Sequence, residues 1–279
     1  MDVTIEGVVY RLELDLDATF VLPEFNVAYN DVLANNYKPV ILDTHVKKWG
    51  SHPVPPEFMA YRFIIDNDVN RLCAIYEIYW REQDCDIQNL NKDHEHDYEQ
   101  VQIHFSLDTG LIVRVAVAAV GKKRYGGHGV EVYSQPKLID GQKKYDFVQR
   151  NTSPRPYFPG GSYTYITEVK RIEISKLAFR DRRPILVVVN CYHVFAGGKQ
   201  KQERTPRFQE AVELSIPLKR LDEQLLQEWY NYKENPYRHD ISAPFEEPYM
   251  LYKPHTVKCR IFYWLVRQRI AFNKWLKRY

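Results

Sequence analysis

The strongest constraint on this chain is the alternation of apolar and polar residues with period two, in segments too long to be chance. Alternation is clearest in Tyr98 to Phe105, while Leu72 to Trp80 and Leu111 to Val120 are runs of apolar and β-branched residues that also suit strands. An alternation of this kind sends successive side chains to opposite faces of a strand. Further strand candidates are Val3 to Leu14, Val130 to Tyr133, Tyr163 to Ile174 and Ile185 to Phe195. Ser106-Leu107-Asp108-Thr109-Gly110 is a turn signal that predicts an antiparallel hairpin between its flanking strands. The fold class expected is therefore mainly β, an antiparallel β-sandwich with C-terminal helical additions.

The helical part follows Pro217. Leu221, Leu225, Leu226, Trp229 and Tyr230 recur at helical spacing, with Pro236 closing the segment, and a second helix is expected over 257–279. The organisation predicted is a core domain over 1–217 and a helical extension over 218–279 packed on it. Asn151 to Gly161, rich in Pro, Gly and Ser, reads as a loop.

Charge excludes little. The 39 basic and 36 acidic residues leave a net charge of +3, too balanced to imply a polyanionic partner. The segment 255–279 is the local exception, with seven Lys or Arg, no acidic residue, and Phe262, Tyr263, Trp264, Phe272 and Trp275 between them. Such a helix can pack on the domain before it, or act as an interaction surface for a membrane, nucleic acid or protein partner. Packing is the expectation. Neither a secretory h-region nor a bilayer-spanning run is seen, so a cytoplasmic location is expected. The four cysteines contain no CxxC pair, which gives zinc-ribbon and thioredoxin-like readings no support.

The densest chemistry lies in Asp93-His94-Glu95-His96-Asp97-Tyr98-Glu99. If a strand begins near Asp97, then Asp97, Glu99, Val101, Ile103 and Phe105 share one face, and Tyr98, Gln100, Gln102 and His104 the other. Two carboxylates then extend an apolar, core-facing row, which is costly unless they are hydrogen-bonded, protonated or bound to a cation. His94 is out of phase with them and could join only from the loop entering the strand or across a bulge. Oxygen donors with one imidazole suit Mg²⁺, Mn²⁺ or Ca²⁺ better than a structural Zn²⁺, although zinc remains an option.

His94-Glu95-His96-Asp97-Tyr98-Glu99 resembles the GHRHDWE heptapeptide of the necrosis- and ethylene-inducing peptide-like proteins, and the HEGDWE motif of a wider group of β-sandwich proteins. Asp93 stands in place of the leading Gly, and Tyr98 in place of the Trp. The resemblance implies a divalent cation at the rim of a β-sandwich, with His94, Asp97 and Glu99 as ligands and Asp86 as the upstream carboxylate. Asp84 competes with Asp86. Ile75 to Trp80 looks like the aromatic strand before the motif. Gly126-Gly127-His128-Gly129 and Asn190-Cys191-Tyr192-His193 resemble later His-bearing segments.

His128, among three glycines, and His193, at a strand end, are the candidate acids or bases beside a metal-bound water. Tyr76, Trp80, Tyr98 and Tyr125 are the candidate stacking residues for a polar small molecule or glycan. The function expected is cation-dependent binding, with hydrolysis as a further step, of a carbohydrate or phosphate-bearing headgroup. The alternative is a non-catalytic interaction protein acting through its basic C-terminal helix. Lys122-Lys123-Arg124, and Arg180 with Arg182-Arg183, are turn-like basic clusters that could hold a phosphate or carboxylate.

Overall fold

The structure, a computed structural model, describes residues 1–18, 25–43, 55–67, 70–83, 94–120, 128–139, 142–145, 156–157, 164–165, 168–188, 193–199 and 211–231. Within these the chain opens with β1 (Asp2–Ile5), β2 (Val8–Arg11), β3 (Glu13–Asp15), β4 (Asn26–Tyr29), α1 (Asp31–Tyr37) and β5 (Val40–Asp43). Five longer strands follow: β6 (Phe58–Asp66), β7 (Arg71–Gln83), β8 (His94–Ser106), β9 (Ile112–Val120) and β10 (His128–Ser134). Then come β11 (Pro136–Ile139), β12 (Gln142–Tyr145), β13 (Pro156–Tyr157), β14 (Thr164–Tyr165) and β15 (Glu168–Glu173). The last described elements are β16 (Phe179–Arg180), β17 (Arg183–Val188), β18 (Phe195–Ala196), β19 (Val212–Glu213), β20 (Leu218–Arg220) and α2 (Glu223–Asn231).

The chain is mainly β, with its strands in several sheets. The largest has nine strands in the order β15-β10-β9-β8-β7-β6-β4-β3, with β20 also on β6; a five-stranded sheet has the order β16-β17-β5-β19, with β18 on β17. From β6 to β10 neighbouring strands pair antiparallel, while β15, β20 and the β5–β17 pair are parallel. The hairpin expected around 106–110 is present. Gly110 takes φ +67°, and a Cβ there would lie 2.6 Å from the carbonyl oxygen of Thr4. Glycine is needed both for the left-handed backbone and for the close docking of this turn on the β1–β2 hairpin.

One face of the large sheet joins the five-stranded sheet and α1 in a single apolar core. Tyr61, Tyr76, Ile103, Phe105, Val115 and Val117 meet Ile41, Leu186, Phe195 and Leu33 there. α1 is short but well specified. Asn30 caps it, its Oδ1 accepting from the Leu33 N–H at 2.7 Å, and Lys38, which precedes Pro39, ends it with a non-helical ψ of 124°.

The other face of the large sheet departs from the simple alternation. Gln100, Gln102 and His104 are as buried as the apolar row opposite, together with Arg62, Glu77 and Arg114. Side chains replace water as their partners. Gln100 Nε2 donates to Glu77 Oε1, Gln102 Nε2 donates to Gln100 Oε1 at 2.6 Å, and Gln102 Oε1 lies 3.2 Å from His104 Nε2. Burial, the largest influence on each, raises the Glu77 carboxyl to about 8, lowers Arg62 to about 10 and holds His104 well below its usual range.

Residues 257–279, where a second C-terminal helix is expected, lie outside the described residues, as does most of the 151–161 loop. Among the described residues no helix is long and apolar enough to cross a membrane.

Candidate functional site

β8 begins at His94, so the histidine-rich segment is strand rather than a preceding loop. Its pairing with β7 runs without a bulge from Gln83↔His94 to Arg71↔Ser106. Position 94 therefore keeps the opposite phase to 97 and 99 along the whole strand. Asp97 and Glu99 are both buried on the core-facing side, beside Trp80 and Ile78 of β7.

His193 brings the second sheet to this pair. Its Nδ1 lies 2.6 Å from Asp97 Oδ2, with both side chains buried. The imidazole stacks on the Trp80 indole, with ring centroids 4.4 Å apart and planes inclined by 2°. Phe195 flanks the same indole at 6.4 Å. His193 also has φ +52°, a left-handed conformation uncommon for a residue with a Cβ. The backbone is held in this unfavourable region where the ring meets both Trp80 and Asp97. Strain of that kind concentrates at sites where side-chain placement matters.

β10 brings a second polar pair to the same face. Glu131 of β10 is buried and accepts a hydrogen bond from the Tyr133 hydroxyl at 2.7 Å. Burial first, and then the Glu131 charge, push the Tyr133 hydroxyl well above its usual range, while a hydrogen bond from the Gly198 backbone opposes this. Gly197 lies tightly against the same ring, since a Cβ there would come within 3.2 Å of it. The segment 193–198 thus touches Asp97 at one end and Tyr133 at the other. The sequence reading missed Glu131 and Tyr133, although a lone Glu in the run Val130 to Tyr133 was the available signal.

The other predicted residues divide clearly. Tyr76 is fully buried and its hydroxyl donates to the Ala34 carbonyl at 2.9 Å. Tyr98 is buried on the opposite face from Asp97, its ring 5.3 Å from that of Tyr79. Trp80 is buried under His193. These three rings are core groups, and Trp80 reaches the site by supporting the histidine. Asp84, Asp86 and Tyr125 lie outside the described residues, as do the side chains of His94 and His128.

Among the described residues no group of three or more His, Cys, Asp or Glu is disposed to hold a metal ion. Asp97 and Glu99 supply oxygen donors of the right chemistry, but His193 already gives Nδ1 to Asp97. The expected ligand role of His94 does not fit this strand, because position 94 faces away from 97 and 99, and a complete cation site would need a further donor such as Asp86. What the described arrangement can do by itself is hold and move a proton: a carboxylate fixes the orientation of an imidazole whose second nitrogen is Nε2. No family model matches the chain, and neither curated proteins nor solved structures match it significantly.

Proposed function

We propose that the two large sheets form a β-sandwich, and that the end carrying Asp97, Glu99 and His193 binds a polar ligand with the help of a divalent cation. The ligand class is a carbohydrate or a phosphate-bearing headgroup. The observation that carries this reading is the buried His193–Asp97 hydrogen bond of 2.6 Å, with Glu99 one step along the same strand face. Burying carboxylates on a core-facing row is unfavourable unless hydrogen bonds or positive charge compensate. The resemblance of the 94–99 segment to the heptapeptide motif points the same way. A bound cation would supply charge compensation and a polarised water; Asp97 and Glu99 would hold it, with Asp86 as a further donor, while the phase of β8 sets position 94 on the other face. Within this site Asp97 orients His193, Trp80 fixes the plane of the imidazole, and Nε2 is the atom through which a proton passes to or from the ligand.

A second reading rests on the same hydrogen bond. The dyad alone is a general acid–base pair and needs no cation for proton transfer. Thermal melts of the full chain, after chelation and then with millimolar Mg²⁺, Mn²⁺, Ca²⁺ or Zn²⁺, separate the two, because a ligand that binds only the folded state stabilises it. The cation reading expects a raised melting temperature in the wild type and no increment in Glu99→Gln. An unchanged wild-type melting temperature with all four ions would sink it and leave the dyad.

A further inference from the structure

A cavity of about 510 Å³ opens at the other end of β17, about 17 Å along the strand from the His193 end at the usual rise per residue. Tyr10 and the end of α1, with Asn35 and Asn36, form one side of it, and the β16–β17 turn, Asp181, Arg182 and Arg183, forms the other. Its size falls in the range typical of small-molecule sites, roughly 300 to 1,000 Å³.

The turn is built against local preference. Asp181 and Arg182 have φ +48° and +68°, the pair of left-handed residues that a two-residue hairpin loop requires. Asn-Gly is the favoured choice for such a loop, so an arginine at its second position retains a side chain where the backbone would favour none. Arg182 Nη1 binds Glu6 Oε2 at 2.8 Å, and the Tyr37 hydroxyl donates to the same oxygen at 2.7 Å. Two hairpin turns are thereby clipped together beside the cavity.

The charges define the ligand class. Arg180 is paired with Glu213 at 2.7 Å and Arg182 with Glu6, while Arg183 donates Nε to the Lys38 carbonyl at 2.7 Å and has Glu213 3.9 Å away. Each guanidinium has a carboxylate close by, so the basic cluster holds little unmatched positive charge for a free anion. Arg182 and Arg183 nevertheless keep further N–H donors, since a guanidinium has five. On the facing side, Asn35 and Asn36 each give one amide N–H, to the Asp31 carbonyl at 2.9 Å and the Tyr10 hydroxyl at 3.0 Å, and each carboxamide has a second N–H and an acceptor oxygen besides. Asp181 adds a carboxylate. Guanidinium donors, a carboxylate, two carboxamides and a tyrosine thus line one cavity, and this mixture of donors and acceptors suits groups that donate and accept at once, which is the chemistry of neighbouring hydroxyls.

We infer that this cavity is a saccharide-binding site for one or two neutral sugar units, separate from the Asp97–His193 end. The test is saturation-transfer NMR and calorimetry on the full chain with glucose, galactose, mannose and N-acetylglucosamine, and with inorganic phosphate and glucuronate as anionic probes. Saturable binding of at least one neutral sugar is expected, weakened about tenfold or more by Arg182→Gly and by Asn36→Ala. Arg182→Gly gives up a largely exposed ion pair to Glu6 but relieves the left-handed backbone at 182, so it should stay folded, which its melting curve checks, and report on binding. Both measurements are made after chelation, so that cation-dependent binding at the Asp97–Glu99 end does not contribute. The inference is overturned if none of the four sugars binds, if both cavity variants bind normally, or if only the anionic probes bind.

Discussion

Replacing Glu77 with Gln should change the pH dependence of stability in a way that isolates one buried carboxyl. In the folded chain burial raises this group to about 8, against an ordinary value of 4.5. Between those values the folded state keeps a proton that the unfolded state has released, so stability falls as pH rises through that window and levels off above it. One proton corresponds to about 1.4 kcal/mol per pH unit, or about 3 kcal/mol between pH 5 and pH 7. His104 acts with the opposite sign. Its folded form is held below the usual range by burial and by Arg114 and Arg71, so its contribution is present above the unfolded value and is lost as pH falls below it. The two slopes oppose each other in the wild type below about pH 6.5. The variant keeps the Gln100 contact through its amide oxygen and removes only the Glu77 slope. Urea denaturation of wild type and Glu77→Gln at pH 5, 6, 7 and 8 should therefore show the variant gaining on the wild type by about 1.4 kcal/mol per unit. A stability difference that stays constant from pH 5 to pH 8 would show that Glu77 ionises normally in the fold, and would refute the reasoning.

Gly197→Ala should destabilise the chain by about 1 to 3 kcal/mol, because the new methyl would lie 2.9 Å from Leu177 Cδ1 and 3.2 Å from the Tyr133 ring; chemical denaturation measures this. Tyr133→Phe removes the hydroxyl that donates to buried Glu131, and a loss of about 2 kcal/mol is expected by the same assay, against almost none if water takes its place. Asp97→Ala takes the hydrogen-bond partner from buried His193 and should cost about 2 kcal/mol; a stability within error of wild type would mean that the pair contributes nothing to the fold.

The parts of this fold legible in the sequence are those fixed by local chemistry. Phase alone places Asp97 and Glu99 on one face of β8, because alternation needs no knowledge of the partner strands. Gly110 announces its turn because the left-handed backbone needs it. β6 gives no such signal: its sequence, FMAYRFIID, is buried on both faces, so apolar and polar residues cease to alternate. The polar row Gln100, Gln102 and His104 reads as a wet face, since a sequence does not distinguish amides bonded to water from amides bonded to one another. The site is only half legible for a related reason. His193 and Asp97 can each be singled out by residue type and position, but their pairing spans 96 residues and depends on how two sheets meet. That dependence explains why the segment 193–198 carries so much of the arrangement. It holds His193 against Asp97 and Trp80, sends Phe195 and Ala196 into pairing with β17, and sets Gly197 and Gly198 against Tyr133. A change in how this segment sits on the large sheet would disturb the two buried polar pairs together, so the energies of Asp97→Ala and Tyr133→Phe should be non-additive when the two are combined, although their side chains belong to different strands.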